Sequence, residues 1–338
     1  MAQQLFGKTL HELETLTHEL AMPKFAAKQI ADWLYKKNVT DIDCMSNLSK
    51  SSRAILAKNH EIGRSKAINV QTSVDGTRKY LFGTDKGFIE SAYIPDNERH
   101  TLCISSQVGC KMACGFCMTG RQGFGGNLSC GQILNQIASI DESSKLTNIV
   151  FRGRGEPMDN IDEVLKSIEI LTSAWGFAWS PRRITVSTIG IVPNMIRLLN
   201  ETEVHLAVSL HNPFGQERGQ LMPAEKAYAA QDIVAELRKF DWTHQRRLSF
   251  EYTMFAGYND TPRHIKGLTT LLNGLHCRVN LINFNSIPDS PLKGSSRKTM
   301  EWFRNELNNR GLTTTIRNSR GQDIDAACGM LSTKEKNK

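Results

Sequence analysis

From residue 101 onward, strand-like runs alternate with helix-capable segments six times, and this alternation limits the fold more than any other feature of the chain. The runs are TLCISS (101–106), TNIVFR (147–152), RITVSTIG (183–190), VHLAVSL (204–210), LSFEYTMF (248–255) and RVNLINFN (278–285). Strands separated by helices pair in parallel, with the helices covering the sheet. The expected class is therefore α/β, either an open doubly wound sheet or a barrel, complete or partial. In a barrel the reactive groups gather where the strands end. The sequence puts chemistry at those places: a cysteine-rich loop follows the first run, Gly-Glu-Pro the second, and Ser-Thr-Ile-Gly, Ser-Leu-His and Asn-Phe-Asn close the third, fourth and sixth.

Ahead of this unit the chain changes character twice. Residues 1–63 read as a small helical domain: KTLHELETLTHEL has apolar residues at helical spacing, and Pro23 opens a second run in which Phe25, Ile30 and Leu34 line up. Residues 64–100 read as a short β extension, with an Asp75-Gly76 turn between two alternating runs as the hairpin signal. The core is assigned to 101–330 and a polar tail to 331–338. No apolar run approaches the roughly 18 residues of a membrane span, and no basic segment leads into an apolar core at the start, so a cytoplasmic protein with no membrane partner is expected.

A reducing compartment makes clustered cysteines metal-binding or catalytic rather than bridged. Four of the eight cysteines fall within CISSQVGCKMACGFC (103–117). Cys110, Cys114 and Cys117 form C-x3-C-x2-C on a loop directly after a strand. Structural zinc asks for four protein ligands, usually as two separated pairs, whereas three thiolates suit a 4Fe–4S cube whose fourth iron stays open. Cys44, Cys130 and Cys277 stand alone and read as ordinary small side chains. The net charge of +8 leaves an excess of cations outside residues 1–63, with SPRRIT (180–185) and HQRRLS (244–249) as short clusters, which is compatible with an anionic partner such as a phosphate backbone.

The C-x3-C-x2-C loop, with Phe116 before its last cysteine, resembles the signature of the radical S-adenosylmethionine enzymes. Gly-Arg-Gly-Glu-Pro (153–157) lacks the third glycine of a dinucleotide loop, because Met158 stands there, and is similar instead to that superfamily's GxGEP segment. With Cys103 seven residues before the cluster and Cys328 inside DIDAACG, the whole chain resembles the RlmN/Cfr adenosine methyltransferases. The QGF segment at 122–124 is nearer the RlmN, carbon 2, branch. The resemblance implies a partial (β/α)6 radical-SAM barrel, and S-adenosylmethionine as cofactor beside the 4Fe–4S cluster held by Cys110, Cys114 and Cys117. It implies cofactor contacts from Gly155, Glu156, Ser187, Ser209, His211 and Asn285. It further implies that Cys328 carries a methyl group as methyl-cysteine, that Glu90 accepts the ring proton, and that Cys103 resolves the product through a transient disulfide. The implied partners are 23S rRNA, tRNA and an electron donor such as flavodoxin, acting on a monomer, with the target base flipped out of its stack.

One segment departs from the family. Its members usually carry methionine where this chain has Arg152 and Arg154. An unpaired buried cation costs several kcal/mol and would repel a sulfonium. These arginines therefore either weaken cofactor binding or reach out to solvent or RNA phosphate. Three readings stay open at the level of sequence: a carbon 2 methyltransferase, a carbon 8 methyltransferase of the Cfr type, and an RNA-binding homologue with impaired chemistry.

Overall fold

The structure, a computed structural model, describes residues 2–244, 246–327 and 330. Ten strands form one sheet and lie side by side in chain order. They are β1 (Asn69–Thr72), β2 (Arg78–Thr84), β3 (Gly87–Asp96), β4 (Arg99–Ile104), β5 (Asn148–Phe151), β6 (Ile184–Thr188), β7 (His205–Ser209), β8 (Leu248–Met254), β9 (Arg278–Asn283) and β10 (Thr314–Arg317). From β4 to β10 every neighbouring pair is parallel. The pairs from β1 to β4 are antiparallel, so the hairpin around Asp75-Gly76 continues the core sheet. β10 is a parallel strand beyond the six read from the sequence. The sheet stays open, with β1 and β10 at its two edges, as a partial barrel requires.

Helices between the parallel strands bury one face of the sheet. All seven residues of β8 are buried. By strand alternation Phe250, Tyr252 and Met254 point to one side and Ser249, Glu251 and Thr253 to the other. Tyr252 stacks on Phe303 of the helix Arg297–Asn309, with ring centroids 5.6 Å apart. The polar side of β8 is left for the concave face, a run no soluble strand would bury without partners waiting there.

The N-terminal helices pack against the outside of this unit. Leu10–Glu19 starts with a reciprocal cap, in which the Thr9 hydroxyl accepts from Glu12 N (3.2 Å) and the Glu12 carboxylate accepts from Thr9 N (2.6 Å). Tyr35 meets Phe177 and Trp175 of the core, and Lys166 bonds Glu12 at 2.6 Å. Among the described residues no helix is long and apolar enough to cross a membrane.

Candidate active site

The cysteine loop is the tip of a small ribbon in which Gln107–Gly109 pairs with Phe124–Asn127. Cys110 N donates to Gly123 O (2.8 Å), closing the loop. Gly109 has φ +75°, and a Cβ there would lie 1.9 Å from Gly123 O, so only glycine permits this closure. Gly115 N donates to Leu221 O (3.0 Å), tying the tip to the helix Gly215–Leu221. Burial first, then the charges of Glu156 and Cys117, push the Cys110 thiol up to about 12; burial also raises Cys114, reinforced by Cys117 and Cys110. A cationic centre would relieve this cost at Cys110 and Cys114, since metal ligation needs thiolates, and Cys117 on the same loop adds a third soft donor. No three His, Cys, Asp or Glu side chains among the described residues converge on a single metal ion. A cluster with one thiolate per iron does not need that convergence, so this donor set fits a 4Fe–4S cluster.

The glycine segment follows β5 and crosses over the ribbon. Gly155 has φ +100°, and a Cβ on it would come within 2.5 Å of Gln107 Cβ. Glu156 N donates to Gln107 Oε1 (2.9 Å), and Gln107 Nε2 donates to Asp159 (2.7 Å) and Asn127 (2.8 Å). The buried Glu156 carboxylate accepts from Thr188 Oγ1 (2.5 Å) and Met158 N (3.1 Å) on one oxygen and from Ile189 N (2.9 Å) on the other. Burial outweighs these bonds and lifts its pKa to about 7. With two lone pairs per oxygen, Oε2 keeps one acceptor position, suited to an ammonium.

His211 follows β7 in the left-handed conformation, φ +57°. Its Nδ1 accepts from Thr253 N (2.9 Å), which leaves the proton on Nε2. Burial, then Arg152 and Arg218, hold its pKa well below the usual range, so the ring stays neutral. Phe116 meets it edge-on at 4.9 Å. Ser187 Oγ donates to Glu251 (3.0 Å).

Arg152 and Arg154 take neither course expected from the sequence. Arg152 forms an ion pair with Glu251, whose carboxylate lies on the concave side of β8 with Arg317 4.0 Å away. Arg154, only 4% exposed, donates to Phe88 O (3.2 Å) and Gln122 Oε1 (2.6 Å), linking the glycine segment to β3 and to the end of the cysteine loop. Both side chains turn inward and have partners, because the inner side of β8 and the carbonyls of β3 supply acceptors that no linear reading brings beside residue 152 or 154. The expectation of an unpaired charge or an escape to solvent is corrected accordingly.

One cavity at the carboxyl ends of the strands is lined by Cys103, Cys110, Cys114 and Cys117, and also by Gly155, Glu156, Ser187, Ser209, His211 and Asn285. Cys103 sits on β4 opposite Ala92 and Val150, and Ala326 and Ala327 line the same cavity. Gln322 Nε2 donates to Asn285 Oδ1 (2.7 Å). Glu90 is not among the lining residues. It is buried on β3 with Lys79 Nζ at 3.5 Å, and burial raises its pKa against the pull of Lys79 and Arg154. Cys328 lies outside the described residues.

Sequence reasoning passed over Thr188, Gln107, Glu251 and Arg218. The fully buried Arg218 pairs with Glu225 and donates to the carbonyls of Leu210 (3.0 Å), Ile189, Ser209 and Tyr228 (each 3.1 Å), clamping the ends of β6 and β7. Glu251 had a legible signal: a carboxylate inside the apolar run LSFEYTMF. Arg218, in QERGQLMP, had none.

Residues 3–62 match the ribosomal RNA large subunit methyltransferase N-terminal domain, and residues 104–268 match the radical SAM superfamily. The chain is 56% identical over 330 residues to the probable dual-specificity RNA methyltransferase RlmN of Bacteroides thetaiotaomicron, covering 97% of this chain and 96% of that protein. It is 39% identical to the dual-specificity RNA methyltransferase RlmN of Marinobacter nauticus, covering 97% and 92%. The crystal structure of a radical SAM methyltransferase from Sphaerobacter thermophilus superposes with a TM-score of 0.91 at 38% identity, covering 97% of this chain and 98% of that one.

Proposed function

Because the chain belongs to the RlmN family of radical SAM dual-specificity RNA methyltransferases, we propose that it methylates carbon 2 of adenosine in two RNAs, at the peptidyl-transferase loop of 23S rRNA and just 3′ of the anticodon in tRNA. The observation that carries this reading is the single cavity shared by the three loop cysteines, Cys103 and Glu156. When bound at Cys110, Cys114 and Cys117, a 4Fe–4S cluster supplies the electron for reductive cleavage of S-adenosylmethionine. Carbon 2 of adenine is electron-poor and does not attack a sulfonium methyl, so radical chemistry is the route open to it.

The chain's own residues divide the remaining work. Glu156 accepts a hydrogen bond from the cofactor ammonium at the free position of Oε2, and the neutral His211 offers Nε2–H to a cofactor acceptor. The Cys328 thiolate takes the methyl group by displacement and delivers its carbon to the base. Glu90 takes the proton from carbon 2, and its burial raises its basicity. The Cys103 thiolate then attacks the Cys328 sulfur. A sulfur–sulfur bond forms, the carbon–sulfur bond breaks, and its electron pair stays with the transferred carbon, which gains a proton to become methyl. Arg152 does not oppose the sulfonium as a lone cation would, because Glu251 offsets its charge.

The test is nucleoside analysis of unmodified tRNA and 23S rRNA transcripts incubated anaerobically with iron-reconstituted protein, S-adenosylmethionine and reduced flavodoxin. 2-Methyladenosine is expected. 8-Methyladenosine would assign the chain the other regiochemistry, and neither product from a reconstituted protein would contradict catalysis.

A further inference from the structure

Arginines crowd the opposite end of the same strands. Arg99 opens β4, Arg182 and Arg183 immediately precede β6, Arg246 and Arg247 precede β8, and Arg278 opens β9. His205, the first residue of β7, lies among them and accepts from Arg247 N on Nδ1 (3.0 Å). Strand register sets His205 opposite Thr185, Leu248 opposite Leu206 and Arg278 opposite Ser249, which gathers these cations at one end of the sheet, and burial, then the charges of Arg247, Arg182, Arg99 and Arg278, push the His205 imidazole down to about 4. Those four are exposed, and among the described residues no carboxylate pairs with any of them. Arg246 alone is engaged, with Glu203 at 3.4 Å. SPRRIT and HQRRLS, unused by the chemistry of the cavity, are thus two segments of one basic rim.

We propose that this rim docks phosphates of the substrate RNA remote from the target adenosine. The proposal rests on the RNA methyltransferase reading above. Guanidinium forks match phosphate oxygens in a bidentate geometry, and the four exposed cations around His205 are all arginine. Phosphate contacts hold an RNA in place without reading its sequence, so one rim serves both an rRNA and a tRNA. At about 3.3 Å per residue, strands of this length put the rim roughly 15–25 Å from the cavity, a distance a folded RNA spans while its target base sits in the site.

The test compares the wild-type protein with the quadruple variant R99Q/R182Q/R247Q/R278Q and its charge-retaining counterpart R99K/R182K/R247K/R278K. Binding of an unmodified tRNA transcript is followed by fluorescence anisotropy across salt concentrations, and methylation kinetics are measured anaerobically. With each lost phosphate contact lowering the salt slope by about 0.7–0.9, the glutamine variant is expected to lose about three units of slope, and its KM for RNA to rise about tenfold with kcat unchanged. The lysine variant is expected to keep the slope. An unchanged slope and KM in the glutamine variant overturns the proposal. So does unchanged RNA binding accompanied by slower reduction by flavodoxin, which would make the partner an acidic protein. Absence of methylated RNA with wild-type protein would strike the functional reading instead, while the anisotropy slopes would still decide the role of the rim.

Discussion

At the carboxyl ends of the strands, Arg152, Arg154 and Arg218 are turned inward and bound to Glu251, Phe88 O, Gln122 and Glu225, whereas at the amino ends the four arginines around His205 face water, and among the described residues no carboxylate pairs with them. The side chain is the same, and its surroundings decide its work. In the low dielectric of the cavity a guanidinium is tolerated only with acceptors in place, and it then acts as a clamp. On the rim, solvent screens each cation, and what the group offers is a field acting on anions at a distance. Substitutions at the two ends should therefore separate cleanly into losses of stability and losses of RNA affinity.

The largest effect is expected from Arg218→Ala, which leaves Glu225 and the carbonyls of Ile189, Ser209 and Leu210 without their shared donor. Breaking a buried pair of this kind costs about 3–5 kcal/mol, read from chemical denaturation of the apoprotein. Arg152→Met comes next, at about 3 kcal/mol, since it strands Glu251, which is 2% exposed and among the described residues keeps only Ser187 and a distant Arg317. If Arg152→Met proves neutral, the carboxylate has another partner or is protonated, and the contrast between the two ends weakens.

Glu156 gives a smaller, pH-dependent effect. Its burial-raised pKa of about 7 means that the carboxyl is largely protonated below that pH and cannot pair with an ammonium. Affinity for S-adenosylmethionine, measured by equilibrium dialysis, should level off above pH 7 and fall by about tenfold for each unit below it. Glu156→Gln should bind weakly at every pH with that slope gone. The smallest stability change belongs to the rim: the quadruple glutamine variant should lie within about 0.5 kcal/mol of wild type, because solvent-exposed charges without partners hold little of the fold together.

How much of this was visible in the sequence follows the same division between local and distant. Strand alternation exposed six parallel strands because each is a long, apolar, β-rich run; Thr314–Arg317 escaped because four residues, half of them threonine, carry too little pattern. The cysteine loop was legible because its spacing is contained in eight residues. Glu251 and Arg152 are 99 positions apart and meet only once β5 and β8 curve around the same cavity, so their pairing could not be read from either segment. Arg218 depends on carbonyls at the ends of two strands, which have no side-chain signature at all. Thr188 was hidden by its neighbour: Ser187 drew attention in STIG, yet the Thr188 hydroxyl is the one that bonds Glu156.

The proposed division of the four clustered cysteines, with Cys110, Cys114 and Cys117 as cluster ligands and Cys103 as the resolving thiol, is what the functional reading depends on most. It is tested most directly by trapping. Under anaerobic turnover with a tRNA transcript, Cys103→Ala should accumulate a covalent protein–RNA adduct which, after nuclease digestion, maps by mass spectrometry to Cys328 through one added carbon bridging to adenosine. A Cys103→Ala protein that releases methylated RNA at the wild-type rate without any adduct would contradict it.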